Sequence, residues 1–281
     1  MIFPTIGANL REKSCCGEEY KTETSMKTQF ITSPDRVRIA YDTNGQGPAL
    51  MLLHGAGKDR QDWHKLGYVE RLESDFTVIT VDIRGSGESE FLTQLSDFAI
   101  EKICADLYAV ADACDAQRFA IWGYSFGGNI ARYLGAWSDR VTALAVIGVP
   151  FGPAVDETFD RFIENYLEKY GHIASAYQDG EAKQKKPKSK IKAHIPVFAA
   201  CFQAMRACPS IQPIDLKCPA ILLVGNRNKN LMKYVQSEQS ALDAAGIQME
   251  IINGLNHQQE FSQIDQVFPV VSTFLNGRIE G

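Results

Sequence analysis

The sequence predicts an α/β protein whose parallel sheet is covered by helices on both faces, and three observations carry that prediction. Short β-rich runs, apolar on both faces as buried parallel strands are, recur at residues 49–53, 76–81, 119–122, 144–149, 220–224 and 249–252. Helical patterns fill most of the gaps, at 97–114, 129–137, 231–245 and 263–275. In the first of these, Phe98, Ile103, Leu107, Val110 and Ala111 follow three- and four-residue steps. The 281 residues, 45 % apolar and 22 % charged, are enough for a substantial core, which argues against a disordered or fibrous chain.

Taken in order, residues 1–25 are polar and aperiodic and read as a loose extension, with Met26 an alternative start. The segment from Met26 reads as two short strands joined by a turn at Pro34-Asp35. The strand–helix rhythm then runs to residue 149 and breaks. Between 150 and 214 the pattern holds helical segments near 158–170 and 195–208, which read as an inserted lid or cap, and the rhythm resumes from 215 to 281. The chain is therefore expected to form one core, 26–149 with 215–281, interrupted by a helical insertion. Within that insertion residues 183–192 hold six lysines in ten positions. A solvated lysine loop is the simpler reading, with an anion-binding lid as the alternative.

A formal net charge of −5 argues against nucleic acid as the main partner. Seven cysteines, an odd number with only Cys15 and Cys16 adjacent, form neither a disulfide framework nor a CxxC site, so a reducing compartment is expected. No run approaches the roughly 18–20 apolar residues of a membrane span, and the N-terminus gains charge too early for a secretory signal. A soluble, cytoplasmic protein acting on a small molecule is the expectation.

The sharpest motif is Gly123-Tyr124-Ser125-Phe126-Gly127-Gly128, between an apolar run and a helical one. A strand, a tight turn and a helix put the Ser hydroxyl on an exposed apex, and the helix N-terminus favours negative charge in front of it. A Ser hydroxyl needs a base. His257 follows the last strand run, on the sheet edge where the Ser turn opens, whereas His64, His172 and His194 lack such a setting. An oxyanion site would draw on the N–H of Phe126 and on that of Ala56, in the turn His54-Gly55-Ala56-Gly57. His54 itself reads as structural.

Together these residues resemble the α/β-hydrolase fold superfamily, in its cap-bearing Ser hydrolase group. The matching pieces are LLHGAG at 52–57 with Trp63 beyond it, VDIRGSGES at 81–89, GYSFGG at 123–128, CPAILLVG at 218–225 and NGLNH at 253–257, in the family's order. The resemblance implies a mostly parallel eight-stranded sheet, a cap after the sixth strand, and the chain order nucleophile, acid, His. It also implies acyl transfer with no metal or organic cofactor, and VDIRGSGES as a scaffold loop bordering the site. A Ser nucleophile argues against the dehalogenase and epoxide-hydrolase branches, which use Asp. Ester, lactone, amide and carbon–carbon cleavage stay open.

One departure stands out. Such hydrolases carry Gly-x-x-Asp after the strand matching 220–224, and here the run is Gly225-Asn226-Arg227-Asn228. Asn228 can accept the Nδ1 proton of His257 but brings no charge to stabilise an imidazolium. Three explanations compete: a carboxylate reaching back from the insertion, Asp156 or Glu157; a slow Ser125-His257-Asn228 triad; or a fold retained for ligand binding or sensing without turnover. On the second, Asn228→Asp leaves activity unchanged or raises it. Phe151, Phe159, Phe162, Tyr166, Phe198 and Phe202 either line an acyl pocket or, more simply, pack the cap onto the sheet.

Overall fold

The computed structural model describes residues 28–178 and 190–279. The expected N-terminal extension, the alternative start at Met26, Cys15 and Cys16, and most of the lysine-rich stretch lie outside the described residues. The chain opens with β1 (Gln29–Thr32), β2 (Arg38–Asn44) and β3 (Ala49–Leu53), followed by α1 (Gln61–Lys65), α2 (Tyr68–Leu72) and β4 (Thr77–Val81). Next come α3 (Ile100–Ala113), β5 (Phe119–Tyr124), α4 (Phe126–Trp137) and β6 (Val141–Ile147). Helices α5 (Glu157–Gln178) and α6 (Lys190–Met205) precede β7 (Ala220–Gly225), α7 (Lys229–Ala244), β8 (Gln248–Ile252), α8 (Gln259–Ser262) and α9 (Ile264–Ile279).

The eight strands form one sheet in the order β1-β2-β4-β3-β5-β6-β7-β8, antiparallel at β1–β2 and β2–β4 and parallel from β4 to β8. Alternation along each strand divides the core between two faces. Met51, Leu53, Ile121, Val146 and Leu222 pack with Leu107, Ile130 and Leu134 of α3 and α4. Leu50, Leu52, Trp122, Ile147 and Leu223 pack with Trp63, Tyr68, Phe261 and Val271 on the opposite side. Burying β3 to β7 on both faces is what makes their sequences continuously apolar, whereas β8, expected from its sequence to be buried as well, lies at the sheet edge and has no buried residue.

Two differences from the sequence expectation have simple causes. Helices α1 and α2 are five residues each, too short to show a helical period. Strand β6 ends at Ile147, two residues early, because Gly148 turns into the left-handed region at φ 79°.

The VDIRGSGES segment is bound into this frame by buried ion pairs. Arg84, fully buried, donates to both oxygens of Asp106 on α3 at 2.7 and 2.6 Å and to Asp35 in the β1–β2 turn at 2.9 and 3.0 Å. The hydrogen bond from Arg84 holds the Asp35 pKa down to about 2. Arg60, also buried, pairs with the buried Asp42 and Asp82 and with the exposed Glu88. Removing one partner of such a pair leaves an uncompensated buried charge. Arg84→Met is therefore expected to cost about 3–5 kcal/mol, read from urea unfolding. A loss below about 1 kcal/mol, the worth of an exposed pair, would show that Arg84 does not brace the frame.

Candidate functional site

Ser125 stands between the end of β5 and the start of α4 with φ 52° and ψ −115°, a strained conformation for a residue other than Gly. Its N–H donates to the carbonyl of Ile147 at 2.8 Å, and its own carbonyl accepts the N–H of Asn129 at 2.9 Å. The turn sits tightly on the end of β3: a Cβ on Gly127 would lie 2.2 Å from the Leu53 carbonyl oxygen, so no side chain fits there. This close approach sets Ser125 beside the turn at residues 54–57.

His257 arrives from the loop after β8, and its Nε2 lies 2.9 Å from Ser125 Oγ. An aromatic stack supports it. The Tyr124 ring lies on the imidazole at 5.3 Å between centroids and on Phe261 at 4.7 Å, and the Tyr124 hydroxyl donates to the His257 carbonyl at 2.8 Å. Tyr68 ties the far end of the stack by donating to the Phe261 carbonyl, also at 2.8 Å. Burial raises the pKa of the Tyr124 hydroxyl, with the Glu260 carboxylate adding to the effect, which keeps the hydroxyl a donor.

The other imidazole nitrogen corrects the sequence expectation. Asn228 does not present its oxygen to His257. Its Nδ2 is 3.5 Å from His257 Nδ1 and instead donates to Glu260, at 3.0 Å to Oε1 and 3.2 Å to Oε2. The oxygen facing His257 Nδ1 is Glu260 Oε2, at 3.0 Å, on a side chain with no exposed surface. Glu260 Oε1 also accepts the Gly225 N–H at 2.8 Å. The carboxylates considered from the insertion do not take part: Asp156 accepts the Phe159 N–H at 2.7 Å near the start of α5, and Glu157 is exposed. Sequence reasoning missed Glu260, although a signal existed. His257 and Glu260 are three residues apart, the spacing that brings side chains together on one helical turn.

Space for the carboxylate comes from Gly148, where a Cβ would stand 2.6 Å from Glu260 Oε2 and 2.9 Å from His257 Nδ1. Ala56 and Phe126 border one cleft together with Arg84, Ser86, Phe98, Val197, Phe198 and Phe202. Phe126 is the first residue of α4, so its N–H belongs to the helix's first turn, whose donors lack intrahelical acceptors. Of the six aromatics singled out in the insertion, Phe198 and Phe202 reach this cleft, while Phe159, Phe162 and Tyr166 pack against them edge-on or tilted. Phe151 is instead buried in the main core.

The remaining histidines fall elsewhere. His54 is buried, its Nδ1–H donating to the Gly55 carbonyl at 2.9 Å and its Nε2 accepting the Ile83 N–H at 3.1 Å, so it joins the turn at 54–57 to the loop after β4. His64 lies against Thr80 and Asp42, and His172 is exposed on α5. His194 packs on Phe198 and faces Gly57. Among the described residues no group of three or more His, Cys, Asp or Glu side chains is arranged to hold a metal ion, and no helix is long and apolar enough to cross a membrane.

The strand order of this sheet, with Ser125 at a strained strand-to-helix turn facing a His from the loop after the last strand, is the arrangement of the α/β-hydrolase fold, and the chain has that fold. The family profile described as alpha/beta hydrolase fold matches residues 48–177. Among curated proteins, a putative non-heme chloroperoxidase of Synechocystis is 25 % identical over 85 % of this chain and 95 % of its own length. A pimeloyl-[acyl-carrier protein] methyl ester esterase of Vibrio vulnificus is 37 % identical, over 39 % of this chain and 40 % of its own. Among solved structures, a thermophilic esterase from Thermogutta terrifontis superposes with a TM-score of 0.70 at 21 % identity, covering 89 % of this chain and 98 % of that one. These likenesses support a hydrolase as the broad class.

His54 gives the site's surroundings a pH dependence. Burial pushes its pKa below the ordinary imidazole value, against the opposing pull of Asp82. The unfolded chain takes up that proton near pH 6.5 while the folded protein still refuses it. Unfolding therefore binds a proton in that window, and stability falls as pH drops below about 6.5. The Tm is expected to decline from pH 7 to pH 5, less steeply in His54→Asn. Equal slopes for the two proteins would exclude His54 as the source.

Proposed function

We propose that this protein is a Ser-dependent hydrolase that cleaves a small ester through a covalent acyl intermediate. The observation that carries this reading is the 2.9 Å approach of His257 Nε2 to Ser125 Oγ at a strained turn. In this reading Ser125 Oγ attacks the substrate carbonyl carbon and its proton passes to His257 Nε2. The oxyanion that forms is met by the N–H groups of Phe126 and Ala56. The carbon–oxygen bond to the leaving group then breaks as His257 returns the proton to the departing alkoxide. A water molecule attacks the acyl-Ser, giving its proton to His257, and collapse of this second intermediate frees the acid and restores Ser125.

Helices α5 and α6 serve in this reading as a cap, residues 150–214, over a core formed by 26–149 and 215–281. The cleft between the cap and Phe126 is lined by Phe98, Val197, Phe198, Cys201 and Phe202 together with Arg84 and Ser86, and this mostly apolar lining favours an apolar substrate. A Ser in place of an Asp nucleophile favours acyl transfer over epoxide opening. The relatives named as esterases point the same way.

The test is labelling by a fluorophosphonate probe together with hydrolysis of p-nitrophenyl acetate. Wild-type protein is expected to do both, and Ser125→Ala to lose the label and about a thousandfold or more of kcat. Undiminished labelling of Ser125→Ala, or no labelling and no hydrolysis by the wild type, would overturn the reading. The second result would favour a fold kept for binding without turnover.

A further inference from the structure

We infer that Glu260 supplies the negative charge that orients His257, and that Asn228 has exchanged the role of acid for that of hydrogen-bond donor to Glu260. The inference rests on the reading of Ser125 and His257 as nucleophile and base. It assigns the charge to a segment three residues beyond the histidine instead of to the loop after β7.

Burial is the first argument. The Glu260 side chain has no exposed surface, and among the described residues its ion-pair partner is His257, with no Lys or Arg beside it. A buried carboxylate without hydrogen bonds is costly, so its surroundings must supply N–H groups. Here three N–H donors converge on two oxygens: Gly225 at 2.8 Å, Asn228 at 3.0 and 3.2 Å, and His257 Nδ1 at 3.0 Å. A surface glutamate that merely caps a short helix would face solvent.

Complementarity is the second. An amide at 228 can donate to Glu260, whereas a carboxylate there would set two like charges about 3 Å apart and drive one to take up a proton. Asn228 is thus the residue type that the buried charge selects, and its appearance at the usual acid position follows from Glu260 being present. Gly148 completes the fit from the end of β6, since any side chain there would collide with Glu260 and with His257. The carboxylate therefore stands between the ends of β6 and β7, near where an acid on either loop would have projected.

The consequence for His257 is a fixed tautomer. With Oε2 accepting from Nδ1, the proton resides on Nδ1 and the Nε2 lone pair faces Ser125 Oγ, as a base requires. Glu260 acts through His257, as a positioning residue, and does not touch the substrate.

Two measurements test this on the full chain. Side-chain nitrogen NMR of the wild type at neutral pH is expected to find His257 protonated on Nδ1, and a His257 protonated on Nε2 would overturn the inference. This readout needs no turnover, so it judges Glu260 even if the protein proves inactive and the hydrolase reading fails. Kinetics with p-nitrophenyl acetate then compare Glu260→Gln, Asn228→Asp and the double variant Asn228→Asp/Glu260→Gln. Glu260→Gln is expected to lower kcat about 10³–10⁴-fold, the scale seen when a triad acid becomes an amide, with KM changed less than about threefold. Asn228→Asp should also lose activity, through the paired carboxylates. The double variant restores one carboxylate and one amide in exchanged positions, and is expected to regain about tenfold or more over Glu260→Gln, a recovery that a purely structural role would not produce. Wild-type activity in Glu260→Gln, within about threefold, would overturn the role of Glu260, and a gain in Asn228→Asp would overturn that of Asn228.

Discussion

A carboxylate held away from water, with no guanidinium or ammonium beside it among the described residues, is the constraint around which the site is arranged. Glu260 takes its hydrogen bonds from a backbone N–H at the end of β7, the side-chain amide of Asn228 just before α7, and an imidazole in its own segment. Each donor comes from a different piece of the fold, so each must be delivered to within about 3 Å by the elements that carry it. The parallel strands do this because their carboxyl ends meet along one edge. The Tyr124–Phe261 stack then sets the height of the histidine loop above that edge.

Electrostatics of a different kind hold the opposite flank. There the buried carboxylates Asp42, Asp82 and Asp106 meet Arg60 and Arg84, full charges answering full charges. These pairs bind the loop after β4, which lies against the turn at 54–57 through the Ile83–His54 hydrogen bond. The two flanks thus treat buried acids differently: neutralised by arginine where rigidity serves the frame, and met by polar N–H groups where the charge is left to act on an imidazole.

Much of the fold was legible because its strands are buried on both faces, and continuous apolar runs such as Ala220–Gly225 announce that directly. Ser125 and His257 were legible for a related reason. Each follows such a run on the edge where parallel strands end, and the glycines around Ser125 mark the tight turn. Glu260 was not, because nothing in its immediate neighbours distinguishes it from a surface glutamate. Its burial is decided by Gly148, Gly225 and Asn228, distant in sequence and brought near only by the sheet. The same non-local dependence turned Asn228 from an apparent defect into a donor. Helices α1 and α2 escaped notice for a local reason, since five residues span little more than one turn and cannot repeat an apolar stripe.

The spacing of His257 and Glu260 has a mechanical side. When an imidazole and its orienting carboxylate stand on separate loops, any shift of one loop against the other changes their separation. Here both belong to a four-residue stretch, tied further by the Glu260 N–H donating to the Asn256 carbonyl at 3.0 Å. The separation of the pair is thus set within one short stretch of backbone, while Gly225, Asn228 and Tyr124 seat that stretch on the sheet edge beside Ser125.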